Sequence, residues 1–191
     1  MHVLALLLAL FSVRFWENHL PAAWSDGELT AFLIDSPWAQ TAGPNPGAIV
    51  FLASAPLVQQ AEAEQYRRAR RKKPSLPEES DPDYAAFQRE DGGKHIVLAV
   101  LLPNQLALAD AVEYRRMEQE SVLRIGRRRY QITGHFPPMS TNPYLRLVYP
   151  RQVQPGDKSL AFDLYLPGVT GNFKSAEFRL KELLVKGQAQ Y

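Results

Sequence analysis

The chain has 191 residues, 46% of them apolar and 22% charged, which is enough for one well-buried domain and makes no case for two. Lys and Arg number 22 against 20 Asp and Glu, and the resulting net charge of +2 is too near balance for a chain-wide nucleic-acid footprint, so any basic function must be local. The absence of cysteine excludes a disulfide framework, thiol catalysis, a lipobox-type lipid anchor and every thiolate metal site.

Val3 to Val13 (VLALLLALFSV) is an apolar run of signal-peptide length, too short to span a bilayer. Only Met1 and His2 precede it, and no Ala-x-Ala pattern follows. Two readings compete: a signal segment, implying export to a periplasmic or extracellular location, and a buried amino-terminal helix or strand of a cytoplasmic protein. Export is the expectation.

Beyond this segment, Ser25 and Glu28 have capping-box spacing, and Trp24 is placed to staple against Leu29. A short helix follows and must end near Asp35, because Pro37 drives Ser36 out of the helical region. Thr41 to Gly47 reads as a loop and Ala48 to Ala53 as a buried strand. Pro56 suits the first turn of a second helix, over Pro56 to Lys72, with Leu57, Val58 and Ala61 on one side. Its end carries Arg67, Arg68, Arg70, Arg71, Lys72 and Lys73, six cations in seven residues. From Pro74 to Gly93 the composition turns acidic and proline-rich, which predicts an exposed loop whose Glu78, Glu79, Asp81 and Asp83 lie back against the basic run.

His95 to Leu102 is the strongest buried-strand candidate. Asn104 is a fair cap for a third helix over Gln105 to Gln119, with Leu108, Ala111, Val112 and Met117 as a weak apolar stripe. The period then changes to two. Val122 to Ile125 and Tyr130 to Thr133 flank Gly126-Arg127-Arg128-Arg129 as a hairpin, and Tyr144 to Tyr149, Ser159 to Leu166 and Ser175 to Leu180 are further strands. Leu160, Phe162, Leu164 and Leu166 share one side. The tail, Leu183 to Tyr191, is expected to turn at Lys181-Glu182 and pair back. The resulting expectation is a single α+β domain over residues 14–191: an antiparallel sheet of about five to seven strands, two or three helices on one face, and the aromatic amino-terminal segment closing an edge.

The chemistry that sequence motifs can reveal is sparse. His2, His19, His95 and His135 are far apart and form no His-x-His or His-x-x-x-His pair, so no metal is expected. No phosphate-cradling loop, dinucleotide turn or nucleophile elbow is present, so no cofactor or catalytic residue is assigned. An enzyme would have to assemble His95 or His135 beside carboxylates in a pocket. The run Arg67, Arg68, Arg70, Arg71, Lys72, Lys73 is the candidate anion-binding stripe, for nucleic-acid phosphates or an anionic surface; the simpler reading is a solvated helix end complementing the macrodipole. Arg127, Arg128 and Arg129 pose the same question on a smaller scale. Trp16, Trp24 and Trp38, with Phe15 and Phe32, form either a packed cluster, which is favoured, or an interaction surface.

Phe15-Trp16-Glu17, Trp24 followed by Glu28 and Leu29, and Ser36-Pro37-Trp38-Ala39 give the chain an opening that resembles a family of uncharacterised exported bacterial proteins. The likeness continues in Ser54-Ala55-Pro56, in Tyr149-Pro150-Arg151 and in Phe178-Arg179-Leu180-Lys181-Glu182-Leu183 with Gly187. The resemblance implies a signal peptide and an envelope or extracellular location, and carries no activity. The expected function is therefore a non-enzymatic exported module binding another protein or an envelope component; the alternative is nucleic-acid or anionic-surface binding through the basic run.

Overall fold

The computed structural model describes residues 14–43, 47–102, 110–168 and 171–191. The apolar run Val3 to Val13 lies outside them, as do Asn104 and the expected start of the third helix. The architecture is mixed α+β, with all strand pairing antiparallel.

A short helix α1 (Phe15–Asn18) leads to α2 (Asp26–Ile34). The capping box closes as expected: the Glu28 amide donates to Ser25 Oγ (3.1 Å) and the Ser25 amide to Glu28 Oε2 (2.7 Å). The helix stops at Asp35, ahead of Pro37. Strand β1 (Ala39–Ala42) occupies the start of the expected loop, because pairing with β2 (Ala48–Leu52) buries Ala39 and Ala42, whose small side chains announce no strand. Helix α3 (Pro56–Lys72) buries Leu57, Val58 and Ala61.

The expected loop over 74–93 holds only in its first part, residues 74–81; its second part is helical. Helix α4 (Pro82–Glu90) starts where Asp81 Oδ1 accepts from the Tyr84 amide (3.0 Å) and Pro82 takes the first helical position. Acidic composition hid this cap-and-proline start. After β3 (His95–Leu101), α5 (Ala111–Glu120) is capped by Asp110, whose Oδ1 accepts from the Val112 amide (2.8 Å). Of the expected apolar stripe, Met117 is buried and Val112 is exposed.

The hairpin β4 (Val122–Ile125) and β5 (Arg128–Gln131) turns on Gly126 and Arg127, with Gly126 at φ +61°, so β5 begins two residues earlier than expected. There follow β6 (Gly134–Phe136), β7 (Tyr144–Pro150), β8 (Ser159–Tyr165) and β9 (Phe173–Arg179). The tail forms its own small hairpin, β10 (Leu184–Val185) with β11 (Gln188–Ala189). Its turn is Lys186 and Gly187, at φ +50° and +78°, rather than Lys181-Glu182.

The strands divide between a five-stranded sheet, in the order β1-β2-β3-β7-β6, a four-stranded sheet, β5-β4-β8-β9, and the two-stranded tail. Register assigns the faces. Phe51, Ala99 and Arg146 are successive partners across β2, β3 and β7, so they share one face of the five-stranded sheet with Tyr144. That face meets α3 and α4: Arg146 pairs with Glu62, and Phe136 of β6 touches Tyr84 and Phe87 (ring centroids 5.2 and 5.3 Å). The opposite face meets the four-stranded sheet, where Tyr149 packs on Phe162 (5.4 Å) and Phe162 on Phe178 (5.9 Å). β3 and β7 are buried on both faces, whereas β8 and β9 alternate, as befits an outer layer with one wet side. Gln40 Nε2 donates to Glu177 O (2.9 Å), joining the β1 edge to the β9 edge.

The tryptophans form the packed cluster. Trp24 and Trp38 are buried and Trp16 is half-buried. Phe32 lies between Trp24 (4.9 Å) and Trp38 (5.4 Å), and Trp16 meets Trp38 edge-on (6.2 Å). Each buried indole satisfies its N–H: Trp24 donates to His19 O (2.9 Å) and Trp38 to Gln190 O (2.6 Å). Trp38 thereby ties the amino-terminal cluster to the far end of the chain. Replacing it by Ala is expected to cost about 3–5 kcal/mol, from lost burial and the cavity left behind. The shift in the urea midpoint, read by far-ultraviolet dichroism, measures this; a loss below about 1 kcal/mol would place the ring outside the core.

Candidate functional site

A cleft of about 630 Å³ opens between α3, α4 and the segment leading into β7. This lies within the range typical of small-molecule sites. Helical spacing brings Glu62, Tyr66 and Arg70 onto one stripe of α3, four residues apart. Asp81 and Tyr84 come from the start of α4, Thr141 and Asn142 from the turn before β7, and Tyr144 and Arg146 from β7 itself.

Arg146 is the centre of this wall. It is 3% exposed, with Nη2 donating to Glu62 Oε1 (2.6 Å) and Nη1 to Glu62 Oε2 (3.3 Å), and its guanidinium lies 4.1 Å from the Tyr84 ring centroid and 5.8 Å from that of Tyr144. Burial works against its charge, but Glu62, Tyr84 and Asp81 outweigh burial and hold its pKa above the ordinary arginine value. Burial also pushes the Tyr84 phenol well above its usual range, against the opposing pull of Arg146. Tyr84 Oη donates to Ala53 O (3.4 Å). The turn before β7 is held by reciprocal amide–carbonyl bonds between Met139 and Asn142, and Thr141 Oγ1 donates to Ser80 O (2.6 Å), latching the turn to the α3–α4 connection.

Among the described residues, eight buried side-chain polar atoms lack a hydrogen-bond partner, and four belong to residues of this cleft: Arg70 Nε, Asp81 Oδ2, Asn142 Nδ2 and Arg146 Nε. Buried polar groups are normally satisfied, so their concentration at one cleft sets it apart from the rest of the fold.

The basic run is largely committed elsewhere. Glu64, 7% exposed, accepts from Arg67 Nε and Nη2 and from Arg68 Nε, each at 2.6 Å. Arg68 also donates to Asp26 Oδ1 (2.8 Å) and Trp24 O (2.7 Å), clamping α3 to the start of α2, while Lys72 Nζ reaches Asp26 Oδ2 (3.2 Å). Arg70 lines the cleft, and Arg71 and Lys73 are exposed. The run thus draws its counter-charges from Glu64 and Asp26. Of the acidic residues expected to lie against it, Glu79 pairs with Arg89 (2.7 Å) and Asp81 caps α4. At the hairpin, Arg128 pairs with Asp157 (2.5 Å).

Among the described residues, no histidine lines the cleft. His95 Nδ1 is 3.1 Å from Asp91 O, its ring against Phe87 (5.3 Å). His135 sits on the opposite face of the sheet, beside Tyr114 (4.6 Å). Its Nδ1 is 2.9 Å from Glu118 Oε1, an ion-pair distance without hydrogen-bond alignment. The expected enzyme layout, histidine and carboxylate in one pocket, does not describe this cleft. Among the described residues, no three His, Asp or Glu side chains are grouped to hold a metal ion, and no helix is long and apolar enough to cross a membrane.

Sequence reasoning missed the cleft because its residues come from three separate stretches of the chain, 59–70, 78–88 and 141–146. The legible signal was Asp81-Pro82 as a helix start, which puts Tyr84 in the first turn of a helix. Comparison with protein-family models, curated proteins and solved structures found no match.

Substitutions at Glu62, Arg146 and Glu64 test this electrostatic frame. Glu62→Gln leaves the Arg146 charge buried and unpaired, at an expected cost of about 3–5 kcal/mol in urea denaturation, whereas Glu62→Leu with Arg146→Leu recovers most of the loss. Glu64 is held down to about 2, from 4.5, chiefly by its hydrogen bond from Arg67. A lowered carboxylate pKa stabilises the fold fully above the unfolded value and ceases to do so as pH falls through the folded one. Glu64→Gln is therefore destabilising at pH 7, and its stability gap to wild type closes between about pH 4.5 and pH 2, as followed by urea midpoints across that range.

Proposed function

We propose that the chain is an exported, non-enzymatic module of the cell envelope that works by binding, and that the cleft between α3, α4 and β7 takes its ligand. One observation carries the binding reading: half of the unmatched buried polar atoms among the described residues belong to this one cleft, as though awaiting partners from outside the chain. Export is supported by the signal-length apolar run Val3 to Val13 and by the resemblance to exported proteins carried by Ser36-Pro37-Trp38-Ala39. Binding of nucleic acid or an anionic surface through residues 67–73 has less support, because Arg67, Arg68 and Lys72 are already held in ion pairs.

Fractionation of host cells with intact-mass determination tests location. The expected result is an envelope-associated or secreted chain shortened at its amino terminus; a full-length chain confined to the cytoplasm overturns export. Native mass spectrometry of the gently purified protein tests binding. The expected result is a retained small molecule that is lost in Arg70→Met, and an equal load in both proteins overturns the cleft as the binding site.

A further inference from the structure

The four unmatched groups of the cleft have a definite polarity. Arg70 Nε, Asn142 Nδ2 and Arg146 Nε are donors, and Asp81 Oδ2 is a carboxylate oxygen that only accepts. The charges are also unbalanced in position. Arg146 is neutralised by Glu62, with Asp81 adding to the field that holds its charge; of the other charges on the lining, Arg67 pairs with Glu64 and Glu79 with Arg89, whereas Arg70, Glu78 and Asp81 make no ion pair. A complementary ligand therefore offers acceptor oxygens, preferably anionic, to the nitrogen donors, and one donor to Asp81. Tyr66 and Tyr144 add ring surface for an apolar substituent.

We propose that the cleft binds small carboxylates bearing an adjacent amino or hydroxyl donor, the carboxylate meeting Arg70 and Asn142 and the donor meeting Asp81. The inference rests on the cleft being the binding site. Its unmatched atoms are closed to solvent in the free fold, so a ligand engages them by parting the wall. The Thr141–Ser80 latch lies between the turn before β7 and the α3–α4 connection, where such an opening would occur.

Titration calorimetry on the full-length protein tests the proposal with four probes of one carbon skeleton: L-phenylalanine, L-phenyllactate, 3-phenylpropanoate, which lacks the donor, and L-phenylalaninamide, which lacks the carboxylate. The first two distinguish an ammonium from a hydroxyl donor. Wild type is expected to bind at least one of them about tenfold or more tightly than either control, the size of one charge-assisted hydrogen bond. Arg70→Met is expected to remove that binding. Asp81→Asn keeps an oxygen to cap α4 but puts an N–H where Oδ2 was, so the preference over 3-phenylpropanoate is expected to collapse. Equal binding of all four probes, or unchanged selectivity in Asp81→Asn, overturns the ligand class. Failure of every probe also overturns it; if native mass spectrometry still shows a molecule retained only with Arg70, the cleft reading survives and the ligand assignment alone falls.

Discussion

A guanidinium in the middle of a sheet buried on both faces is the constraint around which this molecule is arranged. β7 must be apolar to serve as an inner strand, and Leu145, Leu147, Val148 and Tyr149 meet that need, yet Arg146 stands among them. Removing an uncompensated charge from water costs several kcal/mol, so the fold is stable only if α3 brings Glu62 directly over Arg146 and the Tyr84 and Tyr144 rings cover what remains. Meeting that requirement positions α3 against the sheet and α4 against both. The cleft is the space left between helices held by a polar clamp rather than by continuous apolar packing.

A second polar device works at the edge of the same layer. The cations at the end of α3 resemble a binding stripe in sequence, but Arg68 reaches a helix-mate, the side chain of Asp26 and the Trp24 carbonyl at once. It acts as a strut between α3 and the aromatic segment, and Glu64 supplies the charge that lets Arg67 and Arg68 sit side by side. The tryptophan cluster completes this joint, with Trp38 bonded to Gln190 near the opposite end of the chain. Part of the charge that looked available to a partner, that of Arg67, Arg68 and Lys72, is thus engaged within the fold, while Arg71 and Lys73 stay exposed. Arg70, which the same run contains, is turned toward the cleft instead.

Together these features divide the molecule by role. The sandwich between the two sheets, where Tyr149, Phe162 and Phe178 pack, is mainly apolar core, with Lys174 of β9 buried at its margin and the Tyr149 hydroxyl unmatched within it. The helical side carries the buried Arg146 and Glu64 and the four unmatched polar atoms of the cleft residues. The gathering of unmatched polar atoms at one cleft is why that cleft carries the functional proposal.

Much of the local structure was legible from the chain alone. The Ser25–Glu28 capping box, the proline stop at Pro37, the Pro56 helix start, the β3 run and the period-two pattern of β8 depend on neighbours within a few residues, and they are where the sequence places them. The α+β class followed from the same signals. Two features were decided only by tertiary structure, the partition of the strands between sheets and the cleft, whereas the helix in the acidic segment carried a local signal that its composition masked. Alternation says which side chains share a face but not which strand lies alongside, so it cannot separate one sheet from two. Asp81 and Pro82 were read by composition instead of as a cap. Arg146 and Glu62 are 84 positions apart, and the free energy that joins them comes from the desolvation of a buried charge, a quantity that exists only once the chain has closed around it.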